Sequence, residues 1–364
     1  MPFVGAHYDD AGVRGQDRAL EAVLTHLGPT LANAAPYEVL TRFGHYASVL
    51  RLTDDLGLAL CTDGVGSKTM IAAALDRYDG IGFDCLAMNV NDLLCVGARP
   101  VAFLDYLGVN TLDEARAEAI LESLAAAAKE AGVAVVGGEL AQLPGIIGSG
   151  THDQRAFDLV GSAVGVVDPD RIVVGQEVTP GDVLVGLHAS GIHSNGLSLA
   201  RAVLLDSGAY ELEDRPPPLE RSLGDELLEP TRIYVAPIKA LWARGIHPRG
   251  LVHITGDGFL NLLRLEAAVG FAVDSLPPEP ALLSLIQKTG DVPDAEMFRV
   301  YNMGVGFVLV LSSSEAHAAL GILTQAGCPA SVIGRVTERS GVIEIEARGL
   351  IGNLEGSGRF EPSP

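Results

Sequence analysis

The chain has 364 residues, 48% hydrophobic and 20% charged, which is enough apolar surface for a large core, excludes whole-chain disorder and suggests two domains. Against 25 Lys and Arg stand 46 Asp and Glu, a formal charge of −21 that argues against nucleic acid and anionic membrane as partners, since both are bound through clustered cations. No apolar run approaches the roughly 18 residues of a membrane span, MPFVGAHYDD carries no signal-like pattern, and Cys61, Cys85, Cys95 and Cys328 form no C-x-x-C pair, so a cytoplasmic protein with reduced, buried thiols is expected.

A helix over 17–27 precedes the strand 56–62 (LGLALCT), which runs into Asp63-Gly64-Val65-Gly66-Ser67-Lys68 and then a helix over 67–76. Strand, glycine turn and helix start in that order gather backbone N–H groups, a Lys and the positive end of a helix dipole, which suits a phosphate. The spacing is not that of a Walker A loop, and Asp63 beside a phosphate calls for a divalent cation between them. In the next helix, 84–96, the residues Asp84, Met88 and Asn91 share a face, with Asp92 next to them. The rest of that helix is apolar and should be buried, so its carboxylates need partners: Mg²⁺, or alternatively a cap at Asp84 and a salt bridge at Asp92. A strand over 101–107, a helix over 113–131 with Thr111 at its start, and a strand over 133–137 follow. That last strand ends in Gly137-Gly138-Glu139, a third acid in keeping with hard-cation chemistry.

After a strand over 158–167, the polar, turn-rich segment 168–182 marks a domain boundary near residue 170. The strand 182–188 leads into Ser190-Gly-Ile-His193-Ser194-Asn195-Gly196 and a helix over 196–206; capping accounts for Asn195 and leaves His193 without a structural reason. An exposed loop at 211–218 and a helix over 231–244 come next. His253-Ile-Thr255-Gly256-Asp257-Gly258 then opens a helix over 257–268, and Glu296 to Gly306 runs into the strand 305–311. A helix over 315–326, introduced by Ser313 or Ser314, and strands over 329–336 and 342–346 complete the pattern, with the tail 347–364 expected to fray. Strands and helices alternating in long groups argue an α/β or α+β architecture, with domains at 1–170 and 171–346.

In order and spacing, DGVGSK, DCLAMNVNDLL, VVGGE, DLVGSAVGVV, ASGIHSNGLSLAR, EPTRIY, HITG and EMFRVYNMGVG resemble the aminoimidazole ribonucleotide synthetase (phosphoribosylformylglycinamidine cyclo-ligase) family over about residues 7–346. The resemblance implies a two-domain synthetase fold and a homodimer pairing through the sheets of the N-terminal, ATP- and metal-binding domains. It also implies a reaction in which ATP, with Mg²⁺, activates a formyl oxygen of a small ribonucleotide for ring closure. Residue by residue, it implies Asp63, Asp92 and Glu139 as metal acids and Lys68 as a phosphate contact. Asp63, Gly64, Gly66, Ser67, Asn91, Gly138 and Glu139 would surround ATP; Ser194, Asn195, His253, Thr255 and Gly256 would lie on the substrate side; and His193, Lys68 and Asp92 would serve catalysis. Leu140, Gln142, Ile192 and Asp257 depart from the family pattern and bear on the exact substrate more than on ATP and Mg²⁺. Related ATP-dependent enzymes, such as thiamine-monophosphate kinase, selenophosphate synthetase or a maturation dehydratase, are the alternatives, followed by a non-catalytic nucleotide-binding paralogue.

Overall fold

A computed structural model describes residues 5–12, 16–148, 154–353 and 358–363. The first half is built on a six-stranded sheet of β1 (Glu38–Val39), β2 (Ser48–Arg51), β3 (Gly57–Gly64), β4 (Arg99–Val109), β5 (Ala134–Gln142) and β6 (Phe157–Val167), in the spatial order β1-β2-β3-β6-β4-β5. Within this sheet, among the described residues, only β4 and β5 pair in parallel. In β6 every second residue, from Phe157 through Leu159 and Ala163 to Val167, is buried, while the residues between them are half-buried. That alternation is what a sheet covered on one face dictates. Helices α1 (Gln16–Leu27), α2 (Lys68–Leu75), α3 (Ile81–Leu94) and α4 (Glu114–Ala131) belong to this half, and α3 lies on the covered face against β6, β3 and β4. Packed on the sheet on one side, α3 meets α4 at Gly82, where a Cβ would come within 2.0 Å of the Leu124 backbone nitrogen. Only glycine lets these two helices approach so closely.

The second half carries eight strands: β7 (Val183–His188), β8 (Gly250–His253), β9 (Gly270–Val273), β10 (Val305–Leu311), β11 (Ala330–Thr337), β12 (Val342–Ile345), β13 (Leu350–Asn353) and β14 (Phe360–Pro362). Their spatial order is β14-β13-β12-β9-β11-β7-β10-β8. All seven residues of β10 are buried, as expected of a strand covered on both faces. Helices α5 (Leu197–Arg201), α6 (Leu223–Leu227), α7 (Val235–Ala243), α8 (Ala281–Gly290), α9 (Asp294–Val300) and α10 (Ser313–Gln325) complete this half. Among the described residues no helix is long and apolar enough to cross a membrane.

Several sequence expectations change in the fold. The helix expected over 257–268 is a 3₁₀ segment, Gly258–Arg264, and the one over 196–206 is α5 followed by a π-helical stretch, Ala202–Asp206. The cap of α4 is Asp113 rather than Thr111, its carboxylate accepting the Arg116 N–H at 2.9 Å, and α5 begins after Gly196, leaving the Asn195 side chain free of capping. Ser312, not Ser313 or Ser314, stands before α10. The described part of the tail does not fray: β13 and β14 extend the second sheet, and Phe360 is buried against Phe298.

Candidate active site

The seam between the two halves gathers most of the residues singled out in the sequence. Asp63 stands at the end of β3 on the face covered by α3, where the Asn89 amide of that helix donates to the Asp63 backbone carbonyl at 3.0 Å. Its carboxylate accepts the N–H of Gly64 at 2.7 Å. Burial, and then the nearby charge of Asp92, push the Asp63 carboxyl up to about 6; the Gly64 N–H and His253 oppose the shift. Asp92, near the end of α3, reaches across the seam to His253 at the end of β8, with Oδ1 2.9 Å from Nδ1. His253 is fully buried, and its Nε2 has no hydrogen-bond partner among the described residues. The loop before β2 closes this corner: Tyr46 donates its hydroxyl to the His253 carbonyl at 2.8 Å.

Asp92 close enough to Asp63 to raise the proton affinity of Asp63, with an imidazole nitrogen beside them that has no hydrogen-bond partner among the described residues, forms an arrangement that a hard cation would relieve. Glu139 does not join them. Across the sheet, Asp63 pairs with Gly161, Gly161 with Asp105 and Asp105 with Gly138, whereas Glu139 belongs to the adjacent row with Tyr106, Val160 and Gly64. Glu139 therefore projects from the opposite face, three strands away from Asp63, or about 14 Å at the usual strand spacing. The expectation of three converging acids is corrected to two, and among the described residues no group of three or more His, Cys, Asp and Glu side chains is arranged to hold a metal. Gly138 backs onto Asp105, whose Oδ1 lies 2.3 Å from where a Cβ would be.

The turn after β3 contributes Gly66, in the left-handed region at φ 70°, and Ser67, whose hydroxyl lies 3.0 Å from that of Ser198 in α5. Lys68 does not present its ammonium to this turn. It is fully buried, with Nζ 2.9 Å from both carboxylate oxygens of Asp84, 2.6 Å from the Glu229 carbonyl and 3.3 Å from the His193 carbonyl. The Asn91 amide is likewise engaged within the protein: it donates to the Arg232 carbonyl at 2.9 Å and accepts from the Tyr234 N–H at 3.0 Å. Both residues were placed at the ATP site by resemblance, and both are committed to joining the halves.

On the other side of the seam, His193 is buried with a left-handed φ of 62°. Its Nε2 accepts the Ser190 N–H at 3.3 Å, which assigns the proton to Nδ1, and Nδ1 has no hydrogen-bond partner among the described residues. Burial, followed by the charges of His253, Lys68 and Arg232, holds this imidazole well below its usual range, so it is neutral. Gly306 makes room for it: a Cβ there would sit 2.1 Å from Tyr234 Oη and 2.4 Å from His193 Cε1. Ser194 Oγ lies 3.2 Å from Thr231 Oγ1, and Asn195 Nδ2 faces Met88 Sδ of α3 at 3.9 Å. A Cβ on Gly256 would lie 3.6 Å from Asn195 Oδ1, so the turns carrying His193 and His253 adjoin; Thr255 accepts the Gly258 N–H at its backbone carbonyl. Asp257 is paired with Arg264 at 2.8 Å, which disposes of its added negative charge. A cavity of about 610 Å³ beside the linker, with Trp242 and Arg249 in its wall, includes none of these residues.

Thr231, Tyr46 and Ser198 were not picked out as site residues from the sequence, and Asp84, read there as a metal acid or a cap, instead holds Lys68 and Thr231. Asp84 carried a signal, a carboxylate in a helix apolar all round; the other three carried none of their own.

Residues 44–167 match the family described as AIR synthase related protein, N-terminal domain, and residues 179–346 match its C-terminal domain. The chain is 47% identical over 342 residues to the phosphoribosylformylglycinamidine cyclo-ligase of Methanothermobacter thermautotrophicus, covering 93% of this chain and 97% of that one. It is 44% identical over 333 residues to the protein of the same name from Methanobrevibacter smithii, covering 91% and 94%. Among solved structures, a thiamine-monophosphate kinase from Stenotrophomonas maltophilia is similar with a TM-score of 0.59 at 21% identity, covering 89% of this chain and 96% of that one. Hydrogenase maturation protein HypE is similar with a TM-score of 0.60 at 19% identity, covering 84% and 91%. Likeness at such identity shows a shared fold.

Proposed function

The chain belongs to the AIR synthase related family, and on that premise we propose that it is an ATP-dependent cyclo-ligase of purine biosynthesis. It would convert formylglycinamidine ribonucleotide to aminoimidazole ribonucleotide with release of ADP and phosphate. The observation that carries this reading is the contact of Asp92 with His253, near enough to Asp63 to raise its carboxyl, across one seam from His193 and Asn195. Asp63 and Asp92 would hold Mg²⁺ bound to the triphosphate, with phosphate oxygens and water completing the coordination; two carboxylates suffice for a cation that keeps several waters. When bound, the ion supplies charge neutralisation to the transferring phosphoryl group.

The remaining chemistry falls to positioning. Phosphorylation of the formyl oxygen turns a poor leaving group into a good one, the amidine nitrogen attacks the same carbon, and phosphate departs as the ring closes. His193, neutral and with its proton on Nδ1, offers a hydrogen-bond donor to an oxygen rather than a charge. Ser194, Asn195, Thr255 and Gly256 form the substrate side, and Gly64, Gly66 and Ser67 present the nucleotide-side turn.

We assign the N-terminal domain, to about residue 170, to nucleotide binding and to dimerisation. The sheet face opposite α3 exposes Leu60 and Leu104, and Val135 and Val136 are exposed on the edge strand β5, an apolar surface of the kind a second copy would cover. Glu139 projects from that same face.

The test is phosphate release with purified protein. Release that needs Mg²⁺ and is stimulated by formylglycinamidine ribonucleotide supports the assignment, and Asp92→Asn should reduce it at least 100-fold, or about 2.7 kcal/mol in the barrier, without loss of fold. Absence of ribonucleotide-stimulated turnover in the wild-type chain would refute it.

A further inference from the structure

We propose that Lys68, Asp84 and Thr231 form a buried strut that fixes the turn Gly191–Asn195 against α2 and α3. Asp84 and Thr231 are then positioning residues for ring closure, and Lys68 is not a phosphate ligand. The role given to the turn rests on the function proposed above; the strut itself rests on geometry.

The side chains of Lys68 and Asp84 are 0% exposed. An ammonium has three protons, and Lys68 spends them on the Asp84 carboxylate, the Glu229 carbonyl and the His193 carbonyl. None remains for an incoming phosphate. Asp84 Oδ1 in turn accepts both the N–H of Thr231 at 2.8 Å and its hydroxyl at 2.6 Å, and Thr231 Oγ1 lies 3.2 Å from Ser194 Oγ. The first residue of α2 and the first turn of α3 thereby grip two separate segments of the second half, Ser190–Ser194 and Glu229–Thr231.

Taking two charges out of water is costly, and well-packed apolar residues in their place often stabilise a fold equally well. Stability alone is therefore a poor reason for this pair. Its geometry suggests another: the carbonyl it holds belongs to His193, a non-glycine residue at φ 62°, a conformation that costs energy and persists where the surroundings enforce it. Lys68 pins the carbonyl of that residue, and the Ser190 N–H fixes its ring tautomer. A shift of the turn would move His193, Ser194 and Asn195 together, away from Asp63 and Asp92.

Three full-length variants test this: Thr231→Ser, Thr231→Val and the double variant Lys68→Met with Asp84→Leu, which removes both charges and so strands neither. Thermal unfolding is followed alongside KM for each substrate and kcat in the phosphate-release assay. Thr231→Ser should behave as wild type. Thr231→Val and the double variant should keep a cooperative transition while kcat/KM for the ribonucleotide falls at least about 30-fold, with KM for ATP within threefold of wild type. A raised KM for ATP in the double variant, with the ribonucleotide parameters unmoved, would return Lys68 to the phosphate site and overturn the proposal; so would wild-type kinetics in Thr231→Val. Should the double variant not fold, the Ser and Val pair decides alone, since Ser keeps the hydroxyl that Asp84 accepts and Val replaces it with a methyl group. Failure of the functional assignment would show separately, as absent turnover in the wild-type protein.

Discussion

Replacing Asp63 by Asn should make the metal-free protein more stable and the enzyme inactive. Asp63 titrates at about 6 in the fold against 3.8 for the free side chain, so the native state holds this proton more tightly than the unfolded chain does. As pH rises from about 4 the unfolded chain releases the proton first, stability falls, and above about 6 the full penalty is present. A shift of roughly 2 units corresponds to about 3 kcal/mol. Asn keeps the acceptor for the Gly64 N–H and carries no charge, so the penalty vanishes with the substitution. Urea unfolding in chelator should show Asp63→Asn ahead of wild type by up to about 3 kcal/mol at pH 8, with the gap closing toward pH 4. Magnesium with nucleotide should stabilise wild type and leave the variant unchanged, because a ligand bound only by the native state adds stability in proportion to its occupancy. A gap that is the same at pH 5 and pH 8, or a less stable variant at pH 8, would show that Asp63 does not occupy the buried, charge-disfavouring site described.

Leu104→Asp, on the open face of the first sheet, should convert the proposed dimer to monomer in sedimentation velocity while preserving the circular dichroism spectrum. Gly306→Ala should lower stability by about 1–3 kcal/mol and reduce turnover, since its methyl group would overlap Tyr234 and His193; thermal unfolding and kcat measure the two effects. His45 is held down to about 4 by burial, then by Arg42 and Arg264. It stays neutral in the fold while the unfolded chain protonates near 6.5, so stability should fall as pH drops from 6.5 toward 4, by about 3 kcal/mol in total. His45→Phe should lose that part of the acid sensitivity, as read from the pH dependence of urea midpoints.

The long buried strands were legible because apolar runs such as DLVGSAVGVV and VGFVLVL carry their own pattern, and the motif carboxylates Asp63 and Asp92 stood out as charges at the ends of such elements. The short strands β1, β2, β8 and β9 were not, because two to four residues hold no periodicity and depend on partners far along the chain. Glu139 was misplaced by parity: Val135-Val-Gly-Gly-Glu reads as a strand carrying an acid, but which face the acid takes is set by pairing with β4, and that pairing includes an irregularity at Phe103 and Leu104. The surroundings of Lys68 were hidden for a different reason. A turn before a helix attracts phosphate in general, and only the packing of α3 reveals that Asp84 stands within reach of the ammonium. Asn195 looked like a helix cap until Gly196 took that position.

The order of strands in the second sheet also governs how the protein can be made. β7 lies near the middle of that sheet, hydrogen-bonded to β10 and β11, both of which are translated long after it. A nascent chain that has produced β7 and β8 holds two apolar strands with no neighbour to accept them until β10 emerges between them. Slow production at low temperature, or a holding chaperone, should therefore raise the soluble yield of this half more than that of the first, whose β1, β2 and β3 are consecutive hairpin partners.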